Sequence, residues 1–261
     1  SNSAFDIVCK NDKVYMIIGG KDLLNGKRFD KGGYILTYDY DKWSFIDPKE
    51  AQKKLNLPRN PRDYTSIAVT TDDSNDEIVY ASSMGDGVIQ YKNGTPVQSY
   101  NEKNAFKETA GGYGSGYCYI DGLAFDKNGN LWMTSSEVNH AVLVLDKAGA
   151  WHRLDIEQLR GVYTINDILI TSTNDKWIYV PRNTPKLVMI PNSESLDEVS
   201  SYEFTTLIDT DGKELTPSNY TCVAEDKDGY IWVGTNRGAV YFTKPRISSA
   251  EDKAATRCTR V

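Results

Sequence analysis

Apolar and polar residues alternate in short runs along the chain, and glycine, asparagine or aspartate interrupts them every few positions. Alternation with period two, rich in Val, Ile, Tyr and Trp, predicts short strands. Tyr64–Thr70, Ile78–Ser82 and Gly87–Tyr91 form one set, and 120–125, 131–134 and 141–145 a second. Ile165–Ile170, Trp177–Val180 and Leu187–Ile190 form a third. Two stretches repeat each other about 100 residues apart. Ile120-Asp121-Gly122-Leu123-Ala124-Phe125-Asp126-Lys127-Asn128-Gly129-Asn130-Leu131-Trp132 is answered by Thr221-Cys222-Val223-Ala224-Glu225-Asp226-Lys227-Asp228-Gly229-Tyr230-Ile231-Trp232. Each reads as a strand, a tight turn whose glycine accepts positive φ, and a second strand built around Trp.

Weaker copies place the second-strand anchor at 15, 79, 132, 179 and 232, with spacings of 64, 53, 47 and 53 residues. Repeats of that length, each a small antiparallel sheet, predict an all-β fold, a β-propeller of five four-stranded modules. The modules fall near 5–50, 61–105, 117–156, 163–208 and 217–261 of a single domain, 1–261. Trp132, Trp232, Tyr15 and Tyr179 are expected to be buried between neighbouring sheets. Phe5–Lys10 already serves module one, so it is not free to complete module five. Five modules allow either a compact closed ring or an open arc cut from a larger, seven-bladed ring; the arc, its end flanks covered by another copy, is the expectation. Pro48–Leu57 is the one short helix, with proline at its start and Pro58 to stop it.

Composition narrows the function. Net charge of −6 and a pI near 5.1 argue against a nucleic-acid partner. No apolar run reaches the ~20 residues of a membrane span. The chain begins Ser1-Asn2-Ser3, the pattern of a removed leader or an excised piece. Cys9 and Cys222 sit in first strands and read as buried hydrophobes, whereas Cys258, in a polar tail, reads as the accessible thiol. None of the four cysteines forms a metal pair.

The catalytic inventory is two histidines, His140 and His152, neither spaced for a nucleophile or a metal, so neither catalytic residues nor a metal or cofactor is assigned. The acidic turns at Asp72, Asp126, Asp209 and Asp226 carry oxygen ligands but lack the EF-hand pattern and read as hairpins. Ala110–Tyr119 interleaves glycines with three tyrosines and lacks a phosphate-loop signature. Loops entering first strands and leaving second strands share one propeller face. On that face Tyr113, Tyr117, His140, Arg182 and Arg237 are the candidate ligand-binding side chains, as aromatic platforms or donors.

Glu225–Gly238 resembles the two-component-regulator propeller repeat almost throughout, and Asp121–Thr134 resembles it in its first part. Tyr119–Phe125, Ile168–Ser172 with Lys176-Trp177, Asp209–Lys213 and Arg257–Arg260 are together similar to PorZ-like proteins, over residues 5 to 261. Those are propeller components associated with type IX secretion in Bacteroidetes envelopes. The resemblance implies an exported, non-catalytic protein in the periplasm or at the cell surface. The expected function is a binding module that presents a loop face to a glycan or an envelope protein. One alternative is the glycan-sensing domain of a hybrid two-component regulator. Another is a streptogramin-lyase-like enzyme with His140 or His152 as base.

Overall fold

A computed structural model describes residues 4–22, 25–106 and 116–261, and among these the alternating runs build five antiparallel blades. Blade one comprises β1 (Ala4–Lys10), β2 (Lys13–Ile18), β3 (Tyr34–Asp39) and β4 (Lys42–Ile46). Blade two comprises β5 (Tyr64–Thr71), β6 (Glu77–Gly85), β7 (Gly87–Lys92) and β8 (Thr95–Tyr100). Blade three comprises β9 (Cys118–Phe125), β10 (Leu131–Ser135), β11 (Val142–Leu145) and β12 (Trp151–Leu154). Blade four comprises β13 (Ile168–Ile170), β14 (Lys176–Val180), β15 (Lys186–Ile190) and β16 (Tyr202–Phe204). A hairpin, β17 (Leu207–Ile208) and β18 (Glu214–Leu215), precedes blade five, which comprises β19 (Tyr220–Glu225), β20 (Tyr230–Thr235), β21 (Gly238–Thr243) and β22 (Thr259–Arg260). The chain is an all-β propeller. Met84 and Gly85 of β6 pair with Tyr119 and Cys118 of β9, joining blades two and three into one continuous sheet.

Strand alternation gives each blade two apolar faces, and neighbouring faces share a core. In β6, Val79 and Ala81 face blade one while Ile78 and Tyr80 face blade three. In β10, Leu131 and Met133 pack toward blade two while Trp132 packs toward blade four. In β14, Ile178 and Val180 serve the third interface, and Trp177 and Tyr179 the fourth. The same parity corrects the repeat alignment in blade two by one residue. Tyr80, not Val79, stands opposite an alanine (Ala68), as Trp132 and Trp232 stand opposite Ala124 and Ala224. A one-residue slip moves every side chain to the other face.

Among the described residues, the two end blades each leave one face without a neighbouring sheet. On blade one the outward face carries Ile7, Met16, Leu36 and Phe45, register partners across the sheet, and Trp43, opposite Tyr38, with Trp43 56% and Phe45 66% exposed. On blade five it carries Cys222, Ala224, Trp232 and Tyr241. This is why Trp232, expected to be buried like Trp132, is only partly covered: its ring faces the open flank and packs on Tyr241 at 4.9 Å between centroids. Tyr15 and Tyr179 are buried as expected.

The cysteines also reverse the sequence expectation. Cys9 and Cys222 are exposed because they lie on the two open flanks. Cys258 is buried because its strand segment is stitched into the β17–β18 hairpin, its N–H donating to Ile208 and its carbonyl accepting from Thr210. Helix α1 (Pro48–Leu55) starts on Pro48, with Asp47 capping it, and ends at left-handed Asn56. A second helix, α2 (Ala250–Ala255), is capped by Ser249 and carries the chain to the outer strand β22.

Candidate functional site

In four blades the innermost strand breaks register at the same level. The shifts fall between Ala4 and Asp6, between Tyr64 and Ser66, opposite Met133–Ser135 in β9, and between Tyr220 and Cys222. A bulge turns a side chain out of the alternation. Here the residues at these positions face the central channel. Phe5, Asp6, Thr65 and Asp121 line it, joined by Asn166 and Asp167 ahead of β13, by Tyr179 and by Lys21. The cavity they enclose is about 110 Å³. At Gly122 the inner strands of blades three and four approach so closely that a Cβ would lie 2.7 Å from the Ile168 nitrogen.

Blade one's second strand leaves through a long connection to Gly33 that crosses the face over this channel. Lys21, buried at its start, forms an ion pair with the equally buried Asp121 and bonds the Tyr119 hydroxyl. The Ser136 hydroxyl donates to the second Asp121 oxygen at 2.6 Å. Farther along, the Arg28 Nε–H donates to Asp63 at 3.0 Å, and its guanidinium lies over the Tyr117 ring. A Cβ on Gly26 would strike Arg182 of blade four, so the connection reaches across the mouth.

Three carboxylates therefore share the channel with one ammonium. Burial raises the pKa of Asp121 against the pull of Lys21. It also raises that of Asp6, against backbone bonds from Ile67 and Ile7. Asp167 is pushed up to about 7, first by desolvation and next by the charge of Asp6. Asp167 is nevertheless exposed on the channel side, so solvent screens part of that shift.

The sequence-chosen residues do not converge. Tyr113 lies outside the described residues. Tyr117 is buried beneath Arg28 and against Tyr119, so its ring is not offered to solvent. Arg237 is exposed on blade five. His140 is half-buried in the loop after β10, and Arg182 meets Gly26 over the channel mouth. A separate open groove of about 650 Å³, lined by neither, runs between blades three and four. Its walls include Gln158, Arg160, Tyr163, Asn183, Thr184 and Glu203. The other histidine, His152, sits on the outer strand β12 between Asp146 (2.9 Å) and Asp197 (3.3 Å), which raise its pKa. Sequence reasoning missed Asp6, Lys21, Asn166, Asp167 and Tyr163. The available signal was an acid breaking the apolar start of three first strands, at Asp6, Asp121 and Asp167.

The acidic turns hold no cation geometry. Asp126 accepts from the Asn128 and Asn130 backbone N–H groups and from Trp132 Nε1, and Asp226 repeats the pattern with Asp228, Tyr230 and Trp232. Among the described residues no group of three or more His, Cys, Asp or Glu side chains is arranged to hold a metal.

These features define a propeller with a capped, acidic channel and a loop face. Residues 214–237 match the family model described as two component regulator propeller. No curated protein matches the chain in sequence. In structure the chain superposes over 100% of its length on PorZ of Porphyromonas gingivalis, described as an essential surface component of the type-IX secretion system, with a TM-score of 0.82 and 17% identity. It covers 35% of that protein. It also matches the extracellular domain of a hybrid two-component system from Bacteroides thetaiotaomicron (TM-score 0.57, 16% identity, 94% of this chain and 29% of that one). A Bacteroides uniformis protein described as a 6-phosphogluconolactonase shares the fold as well (TM-score 0.53, 11% identity, 91% and 66%). At such identities the likeness establishes the fold, which carries both binding proteins and enzymes.

Proposed function

We propose that the chain is a non-catalytic binding portion of a cell-envelope propeller protein, in the periplasm or at the cell surface, and that its loop face engages a glycan. The observation that carries this reading is the groove between blades three and four. Tyr163 is 50% exposed there, beside the amides of Gln158 and Asn183, the Thr184 hydroxyl and the Glu203 carboxylate. A flat ring flanked by amides, a hydroxyl and a carboxylate suits a sugar, which has an apolar face and a rim of hydroxyls. The full-length superposition on PorZ supports an envelope protein associated with type IX secretion.

Calorimetric titration with a panel of neutral and acidic oligosaccharides tests the reading. Binding that Tyr163→Ala weakens about tenfold or more, without change in thermal stability, supports it. A panel in which no oligosaccharide binds, or in which Tyr163→Ala leaves the affinity unchanged, overturns it. Pull-down of an envelope protein that Tyr163→Ala does not disturb would replace the glycan with a protein partner.

A further inference from the structure

We propose that copies of this chain associate head to tail, the outward face of blade five docking on the outward face of blade one of the next copy. The four interfaces inside the molecule supply the pattern. In each, the earlier blade offers an aromatic anchor from its second strand, Tyr15, Tyr80, Trp132 and Tyr179 in turn. The later blade accepts it on the face that carries the residue after its own anchor: Ala81, Met133, Val180 or Val233. Strand parity carries the series one step beyond each end. Trp232 is the fifth anchor and stands on the open face of blade five, with Ala224 and Tyr241 as its register partners. Met16 follows the first anchor and stands on the open face of blade one, in register with Leu36 and, beyond it, Phe45. One end therefore presents the offering half of the repeated interface and the other end the accepting half. Among the described residues no apolar cluster joins blade five to blade one, so the two halves do not meet within one molecule.

The polar rim points the same way. In the third interface the Lys127 N–H donates to Asn174 Oδ1 and the Lys127 ammonium to the Ser172 carbonyl, both in the first turn of the facing blade. Lys227 follows Asp226 in blade five as Lys127 follows Asp126 in blade three. It is exposed and bonds no described residue. The first turn of blade one, between β1 and β2, carries exposed Asp12 as a partner of opposite charge. Contact between like faces would set Trp232 against a second Trp232 with no accepting residue opposite. Head-to-tail contact instead continues an interface that the sequence builds four times. It also removes the exposed rings of Trp43 and Phe45 from water. A heterologous contact leaves one free face at each end of a pair, so association grows with concentration.

Sedimentation velocity of the full chain over a range of concentrations tests this, with Phe45→Glu to spoil the face of blade one and Ala224→Glu to spoil that of blade five. Both positions are exposed, so both variants should keep the circular dichroism of the wild-type chain. Trp43→Glu and Cys222→Glu, exposed on the same two faces, repeat the test should either variant misfold. The wild-type chain should form species larger than a monomer that grow with concentration, and each variant alone should stay monomeric. Mixed in equal amounts, the two variants should form a dimer with one copy of each, through the faces they retain, and go no further. A wild-type chain that stays monomeric overturns the proposal. So does a variant that associates alone as the wild type does, the signature of like faces meeting, and so does a mixture that stays monomeric.

Discussion

At the scale of single residues, one carboxylate organises each repeated hairpin. Asp126 satisfies two turn N–H groups and the indole of Trp132 while buried itself, and Lys176 lies over that indole at 4.4 Å. Asp126→Ala strands these donors, so urea unfolding should show a loss on the order of 1–3 kcal/mol. Asp226→Ala should cost less, because Trp232 and its turn remain partly solvated. Acid sensitivity follows with opposite signs at two places. The Trp232 indole and the Tyr230 N–H hold the Asp226 carboxyl below the ordinary aspartate range. Its contribution is therefore complete above that range and is lost as pH falls through the folded pKa. Asp167 is raised from 3.8 to about 7, so its contribution is greatest in acid and is lost as pH rises through that interval. Asp167→Asn should raise the melting temperature at pH 8 and flatten its decline between pH 4 and 7. Scans across that range decide it. Thiol accessibility is a separate check: Ellman's reagent should titrate Cys9 and Cys222 in the native state and reach Cys118 and Cys258 only in denaturant. Burial pushes the Cys118 thiol up to about 12, which further suppresses its thiolate.

At the scale of elements, the strands and turns were legible because period-two alternation and Asp-x-x-Gly turns are local signals. What escaped was set by distant partners. Cys258 reads as tail in sequence, yet its burial depends on a hairpin about 50 residues earlier, and Arg260 reaches the Asp209 carboxylate there at 2.7 Å. Deleting residues 257–261 should free the β17–β18 hairpin and the edge of β21. Limited proteolysis of that variant should open new cleavage within 205–216, while the intact chain resists. The Val79 misalignment had a different cause, since β6, at 9 residues, is longer than β10, at 5, and spacing alone does not fix parity. The channel site was invisible because Lys21 and Asp121 lie 100 residues apart and only the fold brings them together. Tyr163 carried no signal at all, being one tyrosine among 17.

At the scale of the molecule, the two outward faces of blades one and five repeat the chemistry of the interior interfaces without a sheet to cover them. Surfaces of this kind favour association. Analytical ultracentrifugation of the chain should show self-association that Trp43→Ser with Phe45→Ser reduces, with the fold unchanged by circular dichroism. A strictly monomeric chain at high concentration would show instead that these flanks are tolerated bare. The bulges have a different consequence. Four of the five inner strands spend their regular positions on the blade cores and break register at the level of the channel. Of the residues lining the channel, only Phe5 and Tyr179 also belong to or pack against an interblade core. Asp6 and Asp121 line the lumen but belong to none of the interblade apolar cores, so exchanging them would rewrite the lumen's charge while leaving those cores in place, and the scaffold and its contents can vary on separate schedules.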